Sequence, residues 1–327
     1  MKKYIIFRLL LMIPIILGVS MIVFFIFSLV PGDYVDSLAL NNPGYSEEKI
    51  DALKEKFGFD EPIPVRYIKW LHNAVKGDFG ESFVWQRPVT EVIKIFVKNS
   101  FLLAFFAFIL QIMVAVPLGV YSAVKKYSPM DRVLTLFSLV GISVPSVVLA
   151  LFLKKIFCLD LKLLPMSGIR TLGVELTGGA LVMDVFLHLL LPAVVLALVQ
   201  IPALMRHTRA AMLEVLNEDY ILTARAKGLP RRRILFQDAL RNALIPIITI
   251  LGMSVPDLFA GAVIIESIFG IPGVGKVALD AVSQRDFPFL MGFTMFLTVL
   301  TLFSNMITDL LYALVDPRIK TKGESRT

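Results

Sequence analysis

Four long apolar runs without a formal charge constrain this chain more than any other feature of its sequence. They cover Leu9–Val30, Asn99–Val124, Val133–Leu153 and Phe287–Thr308. About 20 residues of helix cross the hydrocarbon core of a bilayer, so each run is a candidate transmembrane helix. The chain is also 57% hydrophobic and only 18% charged. It is therefore more apolar and less charged than a typical soluble domain, as expected of a membrane protein. Soluble enzymes, disordered proteins and secreted disulfide scaffolds are therefore excluded.

Two further apolar stretches complete the predicted set of spans. Ala180–Met205 carries Asp184 and His188 near one end, and Asn242–Ile265 is interrupted only by Asp257. The sequence therefore predicts an all-α integral membrane protein with six transmembrane helices. We expect these helices at about residues 9–30, 99–124, 133–153, 180–205, 242–265 and 287–314.

The distribution of Lys and Arg predicts the orientation of the spans. Basic residues cluster before the first span, in the second-to-third link, in the fourth-to-fifth link and in the carboxyl-terminal tail. The fourth-to-fifth link alone has eight, whereas the links 154–179 and 266–286 have six between them. Short cytoplasmic loops carry an excess of Lys and Arg, so both termini are predicted to be cytoplasmic. The net charge of +7 then reflects topology, and no nucleic-acid partner is needed to explain it.

The long outer link between the first two spans is predicted to form a small helical extracytoplasmic segment. A capped amphipathic helix is expected to begin near Ser46 and to stop at Gly58. A second helix is expected from Val65 to Val75, and its aromatic face should pack onto the membrane helices. That face comprises Tyr67, Trp70 and Leu71.

The fourth-to-fifth link contains a complete set of helix start and stop signals. Asn217 or Asp219 is a candidate N-cap, and Gly228 and Pro230 are stop signals, so a short helix is predicted at about 219–229. Small residues leave part of its surface without bulky side chains, so the backbone of another protein could approach closely. The alternative is a helix that lies among lipid headgroups, with Arg231–Arg233 on anionic lipid. We favour docking, because an interfacial anchor requires a broader face of bulky apolar residues.

Two segments of this link resemble the coupling-helix motif of ATP-binding-cassette importer permeases. These are Thr223–Leu229 and Ala239–Pro246, and they are most similar to the dipeptide, oligopeptide and nickel branch, in the first permease subunit type. Leu222 stands where the general motif has Glu, so contacts made by that Glu do not carry over. Other fragments of the same resemblance, in order, are Val30–Asp33, Phe59–Val65, Gly77–Ser82, Arg87–Val89, Val116–Val120, Leu164–Gly168, His188–Pro192, Glu266–Gly275 and Asp316–Arg318.

The resemblance implies a type I importer permease fold in the cell membrane. The implied domains are 1–30, the first transmembrane helix; 31–98, the extracytoplasmic segment; 99–316, a permease core with five transmembrane helices and the coupling helix; and 317–327, a cytoplasmic tail. The implied partners are a second homologous permease subunit, two ATPase subunits that bind ATP and Mg, an extracytoplasmic solute-binding protein and membrane lipid. This chain itself is expected to hold no cofactor and no catalytic residues.

The resemblance also implies two sets of site residues. The ATPase-docking set is Tyr220, Thr223, Ala224, Arg225, Ala226, Lys227 and Gly228. The outer-gate loop is Gly270, Pro272, Gly273 and Gly275. The expected function is import of dipeptides or oligopeptides, with nickel or another small solute as the alternative within the family. A receptor or scaffold without transport activity is the alternative from a different class.

Acidic residues inside the predicted spans are the remaining candidates for function. An acid near the middle of a span is costly and normally faces the bundle interior or a water-filled path. Asp257 could be satisfied by neighbours such as Ser254 or by a residue on another helix. Alternatively, Asp257 and Ser254 could line a translocation path and meet the amino group of a peptide or another cation. Asp184 and His188 lie four residues apart on one helical face, but we expect no metal site because further ligands are missing.

Overall fold

The computed structural model describes residues 2–30, 35, 48 and 61–315 of the 327-residue chain. Within them the chain is almost entirely helical. The helices are α1 (Lys2–Leu29), α2 (Ile63–Ala74), α3 (Val89–Val124), α4 (Pro129–Ser143), α5 (Ser146–Asp160), α6 (Gly178–Leu216), α7 (Asp219–Ala226), α8 (Arg231–Phe269), α9 (Val274–Gln284) and α10 (Phe287–Val315). One short antiparallel pair, β1 (Glu81–Ser82) and β2 (Arg87–Pro88), precedes α3, with Glu81 opposite Pro88 and Ser82 opposite Arg87.

Among the described residues, five helices are long and apolar enough to cross a membrane. These are α1, α3, α6, α8 and α10. They confirm five of the six predicted spans and identify a multi-pass membrane protein. The α6 and α8 helices are each 39 residues long, which corresponds to about 58 Å of helix. Both are therefore much longer than the hydrocarbon core is thick, and they include most of the region that the sequence suggested was a link.

The third predicted span differs from the continuous helix expected at 133–153. It consists of α4 and α5, which are bent by 101° at the break between them. Pro145 cannot donate a backbone hydrogen bond and disfavours helical geometry at the residue before it. Val144 accordingly has an extended backbone, with φ −83° and ψ 121°. The sixth span is therefore present only if this bent pair crosses the membrane as one unit.

The chain divides into two units, and the first comprises residues up to 100 together with 272–302. In this unit α2 packs on α1 through its aromatic face. The ring centroids of Phe24 and Tyr67 are 5.4 Å apart, those of Phe24 and Trp70 are 6.0 Å apart, and the hydroxyls of Ser20 and Tyr67 are 3.0 Å apart. The predicted helix with its packing face is confirmed. The helix predicted from Ser46 to Gly58 lies outside the described residues.

Asp286 organises the rest of this first unit. Its side chain is fully buried and accepts hydrogen bonds from the Ser82 hydroxyl at 2.5 Å and from the backbone amides of Phe83 at 3.1 Å and Val84 at 3.2 Å. It also accepts from the amide of Phe289 at 3.3 Å, which caps the start of α10. One carboxylate therefore fixes the β1–β2 turn to this helix.

The second unit comprises residues 101–271 and 303–327, of which the structure describes those up to 315. Its core is formed by α6, which packs against α4, α5 and α8. Large apolar side chains such as Leu189, Ile247 and Leu258 are almost completely buried there. The short helix α7 connects the two longest helices of this unit, α6 and α8.

Candidate functional site

The short helix α7 is the clearest candidate for a functional element. It begins after Glu218, whose backbone is extended and whose side chain makes no capping hydrogen bond. The predicted N-caps are therefore wrong. Asn217 is the C-cap of α6, and Asp219 is the first residue of α7, where its carboxylate interacts favourably with the helix dipole.

The predicted stop of α7 is confirmed at Gly228. This glycine has φ +72°, a left-handed conformation that other residues adopt at a cost. Its amide donates to the Arg225 carbonyl at 2.9 Å, and the Leu229 amide donates to the Ala224 carbonyl at 3.3 Å. These bonds satisfy carbonyl groups at the end of the helix. The α7 helix therefore ends here and is separate from α8.

One face of α7 is anchored and the other is open. Ile221 is fully buried, and α7 packs against the first turns of α8. Burial raises the pKa of the Tyr220 phenol, whereas the nearby Asn242 side chain of α8 acts on this pKa in the opposite direction. On the open face, Leu222 and the docking residues predicted from the resemblance are exposed, apart from half-buried Ala224. The structure therefore brings these residues together on one accessible helix that is fixed to α8.

A buried ion pair in the second unit was not identified from the sequence. Asp131 is 3% exposed and accepts hydrogen bonds from Arg209 in α6, from the Ser122 hydroxyl and from the Tyr127 amide. Ser128 caps α4 by accepting a hydrogen bond from the Asp131 amide at 3.2 Å. The sequence carried a signal for the cap, since Ser-x-x-Asp before an apolar run is typical of a helix start. It carried none for the partner in α6, 78 residues away.

Of the alternatives that the sequence left open for Asp257, a hydrogen bond with Ser254 is not formed. Ser254 is buried, donates to the Leu251 carbonyl at 2.8 Å and accepts from the Gln111 side chain of α3 at 3.0 Å. Asp257 is exposed on the surface of α8. Within the described part of the chain, Ser254 therefore does not satisfy the Asp257 carboxylate. Gln111, which is fully buried in the middle of α3, is the polar residue that sequence reasoning missed.

The first part of the predicted outer-gate loop ends α8. Gly270 has φ +62°, and the Ile271 amide donates to the Glu266 carbonyl at 2.9 Å. Lys154 of α5 caps the same end, because its Nζ donates to the Ile268 carbonyl at 2.5 Å. The end of this long helix is therefore held by side-chain and backbone hydrogen bonds.

The second part of the outer-gate loop belongs to the first unit. The Pro272 carbonyl accepts from the Asn99 side chain at 2.7 Å, and Gly273 is the N-cap residue of α9. Gly275 lies in the first turn of α9, one residue after Val274, whose amide donates to the Ser100 hydroxyl at 2.8 Å. The loop is thus tied to α3, about three turns after that helix begins, and to the first turn of α9.

The Asp184 carboxylate is occupied by protein donors. It accepts hydrogen bonds from the Thr171 amide at 2.8 Å and from the Thr171 hydroxyl at 2.7 Å. Nδ1 of His188 lies 2.8 Å from the Asp184 backbone carbonyl oxygen. Among the described residues, no cluster of three or more metal-ligating side chains is present. This pair therefore ties the segment before α6 to that helix.

Two family models together match almost the whole chain. Residues 115–321 match the family described as binding-protein-dependent transport system inner membrane component, and residues 1–104 match the corresponding amino-terminal family. The first match alone covers more than half of the chain.

Curated relatives match over nearly their full length. The chain is 42% identical to the oligopeptide transport system permease protein AppB of Bacillus subtilis, over 98% of this chain and 100% of that protein. It is 35% identical to the dipeptide transport system permease protein DppB of Escherichia coli K12, with the same coverage of both chains.

A solved structure shares the fold. A chain of the inward-facing MetNI methionine ABC transporter matches with a TM-score of 0.54 at 14% identity, covering 69% of this chain and 97% of that chain. The expected type I importer permease fold is confirmed, and as a permease the chain works with ATPase subunits in the membrane. This chain therefore belongs to the family of binding-protein-dependent transport system inner membrane components, as a permease of the ATP-binding-cassette importer class.

Proposed function

We propose that the chain is the first permease subunit of an importer that moves dipeptides or oligopeptides across the cell membrane. The family supports the transporter class, and the names of the AppB and DppB relatives support the substrate class. The observation that carries the mechanism is the short, separate helix α7, which is exposed on one face and packed against α8 on the other. The chain has both termini in the cytoplasm, and its basic links lie on that side.

In this mechanism α7 docks onto a partner ATPase subunit. The exposed face has no bulky side chain at Ala226 and Gly228, so a partner can approach closely there. Arg225 and Lys227 give the same face positive charge. ATP and Mg bind to the two ATPase subunits, and this chain contributes no catalytic residue. When the ATPase pair closes, α7 moves, and α8 moves with it because buried Ile221 packs α7 against the first turns of α8.

The two 39-residue helices transmit this movement across the membrane. They pack against each other and continue from the α7 region to the end of α8 near Gly270. Coupling requires an element with two arrangements that both ends can bias, and a rigid helix pair joined by a short docking helix meets that requirement. A second homologous permease completes the pore, and an extracytoplasmic binding protein delivers the peptide.

Reconstitution tests this proposal directly. The chain is assembled in proteoliposomes with its second permease, ATPases and binding protein, and uptake of labelled dipeptide, oligopeptide and Ni²⁺ is measured with and without ATP. ATP-dependent uptake of peptide but not of Ni²⁺ is the expected result. Uptake of Ni²⁺ alone would replace the substrate assignment, and no uptake of any solute by an assembled complex would favour a receptor or scaffold.

A further inference from the structure

A cavity beside α7 combines three cationic side chains with apolar walls. Its volume is about 570 Å³, within the range of roughly 300–1,000 Å³ that is usual for small-molecule sites. Lys126, Arg225 and Arg231 supply the cations, and Leu213, Leu216 and Ile234 belong to the apolar wall. No carboxylate side chain among the described residues lines it. The cavity therefore has the chemistry of a site for an amphiphilic anion.

The three cations come from three different elements. Lys126 follows the end of α3, Arg225 lies in the last turn of α7, and Arg231 is the first residue of α8. Within residues 61–315, none of the three forms an ion pair with a carboxylate. The ammonium group of Lys126 lies 4.8 Å from the centroid of the Tyr127 ring, a neutral contact that leaves its charge uncompensated. Converging like charges repel, and an anion between them would relieve that repulsion.

Phosphate is the anion that this set of donors fits best. Arg binds phosphate oxygens through two parallel N–H donors, and Lys adds a compact positive charge. The apolar side of the cavity would contribute nothing to the binding of free phosphate. It would, however, cover the glycerol and the first methylene groups of a lipid.

The cavity also adjoins the end of an apolar span. The uncharged run Asn99–Val124 ends at its wall, since Val124 is one of the lining residues and Lys125 is the first charge after the run. The end of an uncharged span marks the boundary between hydrocarbon and headgroups. Clusters of Lys and Arg just outside a span attract anionic lipids.

We propose that this cavity binds the phosphate group of an anionic phospholipid, between the end of α3, α7 and the start of α8. The inference depends on the proposed function only for the side of the membrane, which would be the cytoplasmic leaflet. Arg225 lines the cavity and also belongs to the docking face of α7, so the bound lipid would lie next to the docked ATPase. It would brace the docking helix against the helices on either side.

The test uses the full-length chain in detergent and a photoactivatable phosphatidylglycerol. Labelling is titrated for the wild type, for the double variant Lys126→Gln/Arg231→Gln and for the matched control Lys125→Gln/Arg232→Gln. The control removes two adjacent positive charges, and neither of its residues lines the cavity. Arg225 is left intact because it belongs to the proposed docking face. Separate arms add inorganic phosphate as a competitor and repeat the labelling on the complex assembled with its ATPase subunits.

The wild type is expected to be labelled at residues of the cavity wall. Each basic residue near anionic lipid contributes roughly fivefold in affinity, so the double variant should bind about 25-fold more weakly, while the control stays within about twofold. Equal loss in both variants would overturn the proposal, as would displacement of the lipid by inorganic phosphate at comparable concentration. Loss of cavity labelling in the assembled complex would assign the cavity to the ATPase instead. Because binding is measured without transport, the lipid site and the importer function can fail independently.

Discussion

Arg209 donates two hydrogen bonds to the Asp131 carboxylate, from Nε at 2.9 Å and from Nη2 at 3.0 Å. This parallel arrangement joins the start of α4 to α6, a few residues before α6 reaches the docking helix. Asp131 is almost completely buried, and its remaining capacity is used by Ser122 and the Tyr127 amide. The pair therefore fixes the position of the helix that leads into α7.

Replacing Asp131 with Asn should destabilise the protein. The substitution leaves the Arg209 guanidinium without its counter-charge, and breaking a buried pair in this way costs about 3 kcal/mol. Because Arg209 is partly exposed, we expect a loss of stability near the lower end of the range that is typical of buried ion pairs. Thermal unfolding of the purified chain in detergent measures the effect.

The exposed ion pair between Lys155 and Asp160 provides the control. Both side chains are more than half exposed, so Asp160→Asn should cost less than about 1 kcal/mol. Equal stability of the two variants would show that the buried pair contributes no more than a surface contact.

A bulky residue on the open face of α7 should block docking without unfolding the chain. Ala226 is exposed, so Ala226→Trp is tolerated by the isolated protein but should prevent close approach of an ATPase subunit. Co-purification with the ATPase measures docking, and unfolding temperature measures integrity. Ser283→Trp, on the exposed face of α9, is the matched control and should keep the ATPase bound. Normal co-purification of Ala226→Trp would remove α7 from the interface.

Asp257 should influence transport and leave assembly unchanged. Its carboxylate is exposed on α8 and is not engaged by Ser254, so it is available to a cationic group in the assembled pore. The Asp257→Asn substitution removes the charge but preserves the shape of the side chain. We expect it to reduce uptake of peptides with a free amino group several-fold. Uptake of amino-acetylated peptide is the internal comparison, since it should change little. If uptake and substrate preference both stay at wild-type values, Asp257 does not line the path.

Much of the fold could be predicted because lipid imposes simple rules on sequence. The uncharged runs located α1, α3 and α10, and the glycine at 228 marked the end of α7. The bend between α4 and α5 was missed because the run 133–153 is apolar throughout, and its break depends on the local geometry imposed by Pro145. Polar pairing was also missed, because Asp131 with Arg209 and Gln111 with Ser254 are distant in sequence and meet only through helix packing.

The most direct test of the account is a cross-link between α7 and an ATPase subunit in a working importer. Cys158 is the sole cysteine and is buried, so Cys158→Ala leaves a background in which Ala226→Cys places one exposed thiol on the docking face. A short thiol-to-amine cross-linker is applied to the complex in proteoliposomes that accumulate peptide with ATP. The account expects a product joining this chain to an ATPase subunit, with loss of peptide uptake, and no such product from Ser283→Cys. A transporting complex that gives no cross-link at residue 226, or one that transports normally after cross-linking, would contradict it.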